Sequence, residues 1–500
     1  MSTQPPASKL CEDVLWHIFD MNTPSDDHFL NPDATGDEIH SLTTARHTSQ
    51  VCSDWRAIIL ESPSVWANSL RLEDLNQRSN YWRKEVLRRT GSCLLSIHGS
   101  FVRRYVAQEF LMCLLEHHWP RFRRICIRAK WTTIFCDRRW CTFTSPAPNL
   151  EILGIHFERE RDTPSLSFFR KLFDGNAPRL HTFSASLVDF QIQHGSFSEL
   201  WSLELTGTIV SPAILPVLQG MNSLRLLKLV NQEILFEFNR KSKHPRIKLP
   251  KLRNLHIDAD MRNFLTIARH IHPPQQCKIA LIINDISDRY SPRTWRTLGQ
   301  CFHAYYRCIM DQHPINTLSI SIQDYCFSIR NRRHNEDISS PEDPLFSFQI
   351  EWIDDESWDN ISNLILHSVL SVDPLPVKTF NMLMEFEATD LSIDEYLTEL
   401  LYSLISVEVL YGNSLTLKLI SDIEDQNDGR NLFLRLNTLV LEEEYCGDSE
   451  NAIQLFVQRR IKAGLPVRSI DLTEAYIFDD DILLFLKDQE GLEVITLQEA

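Results

Sequence analysis

At 500 residues, with 43% hydrophobic and 24% charged side chains and only 14 Gly, the chain has the material for a large core and does not read as disordered or fibrous. Its formal net charge of −16 argues against a general affinity for nucleic acid, which needs a concentrated basic face to displace counterions from phosphate. The 12 Cys are scattered; Cys11, Cys52, Cys93, Cys113, Cys126 and Cys277 stand alone in apolar surroundings and read as reduced small hydrophobes, not as a disulfide framework.

The opening Met1-Ser2-Thr3-Gln4-Pro5-Pro6 has neither a charged n-region nor an apolar h-region, and no apolar run is long enough for a bilayer. A cytoplasmic or nuclear location with no membrane contact is the expectation. From Leu10 to Phe19, Leu10, Val14, Leu15, Ile18 and Phe19 recur at helical spacing, with Glu12 and Asp13 in the first turn, where the helix dipole favours acids. A helix of about three turns is marginal alone in water and needs something to pack against. An acidic loop with Pro24, Pro32 and Gly36 follows between 20 and 40. Ser41 to Trp66 then gives two short helical faces, one with Leu42, Ala45, His47, Val51 and Cys52, the other with Trp55, Ile58 and Ile59, which Ser62-Pro63 ends. The expected layout is a helical module over 1–70, a linker helix over 71–92 and a repeat array over 93–500.

Leu10, Val14-Leu15, Ile18-Phe19, then Val51-Cys52-x-x-Trp55-Arg56-x-x-Ile59, then Ser62-Pro63-x-x-Trp66 closely resemble an F-box. The resemblance covers Leu10 to Trp66, about a tenth of the chain. It departs from the family at Cys11, where a proline is usual, and in the length of the loop between the first two helices. The long loop, and the stretch from Trp82 to Ile97, resemble F-box proteins of mushroom-forming fungi. The resemblance implies a helical cluster that docks on a Skp-type adaptor and through it on a cullin, with Leu10, Val14, Leu15, Ile18, Phe19, Val51, Cys52, Trp55, Ile59, Pro63 and Trp66 building the module, a subset of them facing the adaptor, and Arg56 at its edge.

From Leu94 onward an apolar-x-x-apolar-x-apolar phrase recurs. It stands at Phe122–Ile127, Leu150–Ile155, Leu200–Leu205, Leu224–Leu229, Leu252–Ile257, Ile315–Ile320, Leu436–Leu441, Val467–Leu472 and Leu492–Leu497. Weaker copies are Leu180–Phe183, Lys278–Ile283, Phe346–Ile350, Val377–Met382 and Leu415–Leu419. The alternation marks short strands, and helical patterns lie between them, at Ser165–Phe173, Ala213–Leu218, Phe264–His270, Trp295–Met310, Ile361–Val369, Leu397–Ile405, Ala452–Lys462 and Ile482–Lys487. The expected fold class is α/β, the small helical F-box followed by an irregular leucine-rich-repeat solenoid with parallel strands concave and helices convex. The Asn that usually closes each leucine-rich repeat is missing; Glu158, Thr208, Gln232, Asp260, Gln323, Glu444 and Ala475 stand in its place. Phe236–Lys248 and Ile329–Pro344 read as loops.

No phosphate-binding glycine loop, nucleophile elbow or zinc-protease motif is present. Cys136-x4-Cys141 lacks a second ligand pair, His117-His118 and His270-x-His272 stand unsupported, and the basic run Arg121–Arg139 with Trp119, Trp131 and Trp140 has no nucleic-acid fold around it. No cofactor, metal or catalytic group is expected, so the chain reads as a non-enzyme. Two functions fit: a substrate adaptor of a ubiquitin ligase, with the repeats holding an unknown protein substrate, or a repeat scaffold outside any ligase. Glu204, Lys228, His256 and Glu442 are candidate contacts on the strands. Bases outnumber acids over Tyr81–Trp140 and acids outnumber bases from Glu385 onward, as solvated faces of repeats commonly allow.

Overall fold

The structure is a computed structural model that describes residues 10–25, 40–100, 105–130, 137–158, 172–186, 197–207, 214–230, 246–286, 290–310, 316–323, 325–332, 344–352, 361–371, 377–385, 394–442, 450–475 and 480–496. Residues 26–39 of the expected loop over 20–40, and 165–171 of the helical pattern at Ser165–Phe173, lie outside these residues. The chain forms two compact units, Met1–Leu252 and Arg253–Ala500.

The first unit begins with short helices α1 (Glu12–Asp20), α2 (Ser41–Thr48), α3 (Ser53–Leu60) and α4 (Pro63–Asn68), followed by α5 (Tyr81–Arg89). Their apolar stripes are too short to be stable singly, so Leu15, Phe19, Leu42, Ala45, Ile59, Val65 and Trp66 are buried against one another. Strands β1 (Leu70–Arg71), β2 (Leu95–Ser100), β3 (Phe122–Lys130), β4 (Ile152–Glu158), β5 (Thr182–Ser186), β6 (Ser202–Thr206) and β7 (Leu226–Val230) pair in chain order, every pair parallel. Helices α6 (Tyr105–His118) and α7 (Ile214–Gln219) lie between strands in the chain, as parallel pairing requires a crossover.

Five of the phrases are preceded by a turn that the sequence reading missed. The carbonyl of an apolar residue three positions ahead accepts the N–H of the phrase's first Leu. The pairs are Ala147–Leu150 at 3.5 Å, Ala177–Leu180, Phe197–Leu200 and Met221–Leu224 at 3.2 Å, and Leu249–Leu252 at 3.1 Å. Both members of every pair are buried, so the repeating unit is a turn with two inward anchors and then a strand with alternate residues inward. Ile247–Lys248, expected in a loop, is extended with Ile247 buried.

The second unit contains β8 (Asn254–Asp260), α8 (Met261–Ala268), β9 (Lys278–Ile286), α9 (Pro292–Met310), β10 (Thr317–Gln323), β11 (Cys326–Arg332), β12 (Phe346–Trp352), α10 (His367–Leu370), β13 (Thr379–Met384), α11 (Glu395–Ser403), β14 (Val409–Gly412), α12 (Ser414–Gln426), β15 (Thr438–Leu441), α13 (Glu450–Lys462), β16 (Ser469–Asp471), α14 (Asp480–Lys487) and β17 (Glu493–Ile495). The same opening turn recurs at Leu404–Val407 and Phe433–Leu436.

Here two expectations are corrected. Leu415–Leu419 is not a strand but part of α12; Asn413 caps it by accepting the Thr416 N–H at 3.1 Å, and Leu417, Ile420 and Ile423 bury one face. The strand of that repeat is β14, just before it. The stretch from Ile329 is not a loop either, since Ile329–Arg332 completes β11 (333–343 lies outside the described residues). β11 runs antiparallel to both β10 and β12, so the sheet is mostly rather than wholly parallel. The reason is local: Gln323 pairs with Cys326, and so short a connection closes only a hairpin, with Tyr325 at φ +63°. The spatial order becomes β9–β12–β11–β10–β13, and from there the parallel pairing proceeds in chain order to β17.

Among the described residues no helix is long and apolar enough to cross a membrane.

Candidate docking surface

The residues expected to dock a partner fall into two groups. The first is core. α1 packs on α3, where the Phe19 and Trp55 rings meet edge to face at 5.3 Å. Leu15, Phe19, Ile59 and Trp66 are buried, and Trp55 and Pro63 are half-buried. The Trp66 indole N–H donates to the Ile59 carbonyl at 2.7 Å, satisfying one of the acceptors that the end of α3 leaves over. The Arg89 guanidinium lies over Trp66 at 4.5 Å and over Trp82 at 5.7 Å. Glu85 holds Arg89 and Arg88 by hydrogen bonds, which keep its carboxyl down at about 2 despite the opposing effect of burial. Pro63 occupies the first turn of α4, where its missing N–H costs nothing. Arg56 is exposed and donates to the Ser49 carbonyl at 3.3 Å, tying α3 to the end of α2.

The second group faces outward. Leu10, Val14 and Ile18 are 42%, 42% and 41% exposed; the spacing of four places Val14 and Ile18 in one stripe along α1, and Leu10 lies just before the extended cap residue Cys11. Met21, which the sequence reading missed, is 83% exposed and continues that stripe; its signal was the helical spacing from Ile18 and Val14. Val51 is 61% exposed and Cys52 is exposed beside it. Cys52 caps α3, its Sγ accepting the Trp55 N–H at 3.5 Å. Because Trp55 meets Phe19 near the end of α1, Val51 and Cys52 lie toward the same end of that helix as Ile18 and Met21. Cys11 takes the cap position of α1 with extended backbone and no side-chain cap bond, so the start of the helix rests on Glu12 and Asp13. The result is an exposed apolar stripe, Val14, Ile18 and Met21, on a helix whose neighbouring face, Leu15 and Phe19, is buried in the core.

No protein-family model matches the chain. A search of curated proteins gave no match either.

The remaining candidates do not converge. Glu204 and Lys228 lie opposite each other across β6 and β7, while in the second unit His256 is on β8 and Glu442 follows the end of β15. Burial and the nearby Glu474 push the Glu442 carboxyl up, against a hydrogen bond from Asn381. His117 is exposed, burial lowers His118, and Cys141 is an exposed thiol; Trp131 and Cys136 lie outside the described residues. Among the described residues no group of His, Cys, Asp or Glu is arranged to hold a metal ion.

His156 on β4 has a consequence for stability. Its Nε2 is buried with no hydrogen-bond partner among the described residues, and burial, then the Arg128 charge, lower it to about 4. Near pH 5 the unfolded chain binds a proton there that the folded chain does not. Stability is therefore lost as pH falls from the unperturbed value of about 6.5 toward 4. Urea denaturation at pH 7.5 and pH 5 is expected to show His156→Leu losing about 2 kcal/mol less than wild type over that interval. Equal pH dependence in the two proteins would contradict the burial of a neutral imidazole.

Proposed function

We propose that the chain is the substrate-recognition adaptor of a Skp–cullin–F-box type ubiquitin ligase, with the N-terminal helices as the F-box and the two strand-and-helix units as an irregular leucine-rich-repeat solenoid that binds a protein substrate. The observation that carries this reading is the sorting of the motif. Leu15, Phe19, Ile59 and Trp66 hold the helices together, and Leu10, Val14, Ile18, Met21 and Val51 remain as exposed apolar side chains among the described residues. A helix-docking adaptor is a partner of the right chemistry for such side chains. The repeated turn-and-strand unit supports the solenoid, since each unit buries its two turn anchors only by stacking on its neighbours. In this role the chain catalyses nothing; it supplies proximity between a bound substrate and a ubiquitin-conjugating enzyme.

The test is association of full-length protein with a purified Skp adaptor. Wild type is expected to bind at sub-micromolar concentration. Val14→Asp and Ile18→Asp are expected to weaken binding at least about 100-fold, because each desolvates a carboxylate at the interface, while far-UV dichroism and melting stay as in wild type. Leu455→Asp, on an exposed site of α13, is the control and binds normally. No binding of wild type at micromolar concentrations sinks the proposal and favours a repeat scaffold outside any ligase.

A further inference from the structure

The apolar stripe on α1 is useful to a partner only if the helix is held in place, and the segment leaving α1 is held by an unusual residue. β3 carries a bulge: Leu95 pairs with Phe122 and Ser96 with Arg124, so Arg123 is an extra residue in the ladder. The bulge brings two successive arginines to bear on the joint between helices and sheet. Arg124, 5% exposed, donates from Nε to Ser96 Oγ at 3.0 Å and from Nη1 to the Pro24 carbonyl at 3.3 Å. Ser96 Oγ in turn donates to Asn68 Oδ1 at 3.2 Å, at the end of α4, and Arg123 Nη2 donates to the same oxygen at 3.2 Å.

Pro24 is itself buried and is tied rigidly to the helix it follows. Thr23 Oγ1 donates to the Asp20 carbonyl at 2.7 Å, the Thr23 N–H to the same carbonyl at 2.9 Å, and Asn22 Nδ2 to the Ile18 carbonyl at 3.1 Å. Anchoring Pro24 therefore anchors the last turn of α1, which carries Ile18 and leads to Met21. A strand position needed only for stability would hold an apolar side chain, because a buried guanidinium gives up its hydration. Its fork of donors, aimed in two directions from one plane, is what lysine or leucine could not supply.

We propose that Arg124 is a positioning residue, a latch between β3 and the exit of α1 that keeps the docking stripe presented. The latch belongs to the free chain, and only its effect on partner affinity rests on the adaptor reading above. Hydrogen exchange by mass spectrometry on the full chain reads it directly, comparing peptides over 12–22 with peptides over 152–158 and 202–206. Arg124→Met is expected to speed exchange over 12–22 at least about tenfold and leave the strand peptides unchanged, since one buried charged hydrogen bond sets the opening equilibrium. Arg124→Lys, which keeps one donor for Pro24, restores protection in part, and Ile18→Asp leaves exchange as in wild type.

Adaptor affinity of Arg124→Met should fall by the same factor as the population of the held helix. Unchanged exchange over 12–22, or equal acceleration in every peptide, overturns the latch. Failure of wild type to bind the adaptor overturns the docking reading and leaves the exchange result standing.

Discussion

Replacing Arg460 with alanine is expected to cost the chain about 3–5 kcal/mol of stability, because three carbonyls each lose a charged donor, at about 1–3 kcal/mol apiece where the site is buried. Arg460 is 2% exposed, on α13, and all its hydrogen bonds run inward. Nη1 donates to the Leu432 carbonyl at 2.8 Å, Nη2 to Phe433 at 3.1 Å and Nε to Leu465 at 3.1 Å. Glu424 on α12, also buried, accepts the Leu432 N–H at 2.8 Å. Burial lowers Arg460 and raises Glu424, and each charge favours the ionised form of the other. The pair thus clamps the turn that opens a repeat, where Phe433 has φ +47°, a conformation that side chains other than Gly or Asn seldom adopt. Arg460→Met separates packing from charge. It refills most of the volume but leaves the Leu432 carbonyl without its guanidinium donor and takes one donor each from Phe433, which keeps the Leu436 N–H, and Leu465, so most of the loss should persist. Urea denaturation followed by tryptophan fluorescence reads both variants. A loss under about 1 kcal/mol for alanine would mean that water replaces the guanidinium.

The strands were legible because Leu, Ile and Val alternate where one face is inward; Leu203, Leu205, Leu227 and Leu229 are all buried as that pattern requires. What the pattern could not carry is the anchor three residues earlier. Ala147, Phe197 and Met221 share no residue type, only a buried position and a turn. The β10–β11 hairpin was missed because the third inward position of β11 is Asn331, a polar residue that satisfies the Phe346 N–H through its Oδ1 at 2.9 Å. Leu415–Leu419 misled because Leu-Thr-Leu-Lys-Leu alternates by chance within a helix, and Ile420 and Ile423 reveal the longer period only when the window is extended.

Backbone bonds tie successive parallel strands together at their starts: two successive N–H groups share one carbonyl of the preceding strand segment, His181 and Thr182 on Glu151, Trp201 and Ser202 on His181, Arg225 and Leu226 on Trp201. Side chains at these positions also stack, His181 on Trp201 at 4.7 Å and Arg225 over Trp201 at 5.1 Å. For the docking surface the limit was angular. Val14 and Leu15 are both apolar and about 100° apart on α1, so periodicity alone cannot say which stripe faces in; that is decided by Trp55, far along the chain.

Trp66→Ala is expected to cost about 3–5 kcal/mol, the range for emptying a buried aromatic site. The indole is fully buried, meets Trp82 at 6.3 Å and lies under Arg89, and its N–H is a donor that the Ile59 carbonyl would lose. The helices depend on one another through this residue. None is long enough to persist alone, so its removal should release α3 and α4 together and withdraw the support of α1 through Trp55. Trp66→Phe keeps much of the packing but not the N–H, and is expected to fall between, at about 1–3 kcal/mol. The readout is a pair of measurements on each variant, melting of the intact chain and adaptor binding. At Trp66 the two should fail together, and at Val14 or Ile18 binding alone should fail. If Trp66→Ala melted like wild type, the division of the motif into core and surface would be wrong. If Val14→Asp lowered the melting temperature as Trp66→Ala does, the exposed stripe on α1 would be part of the fold and no docking face would remain.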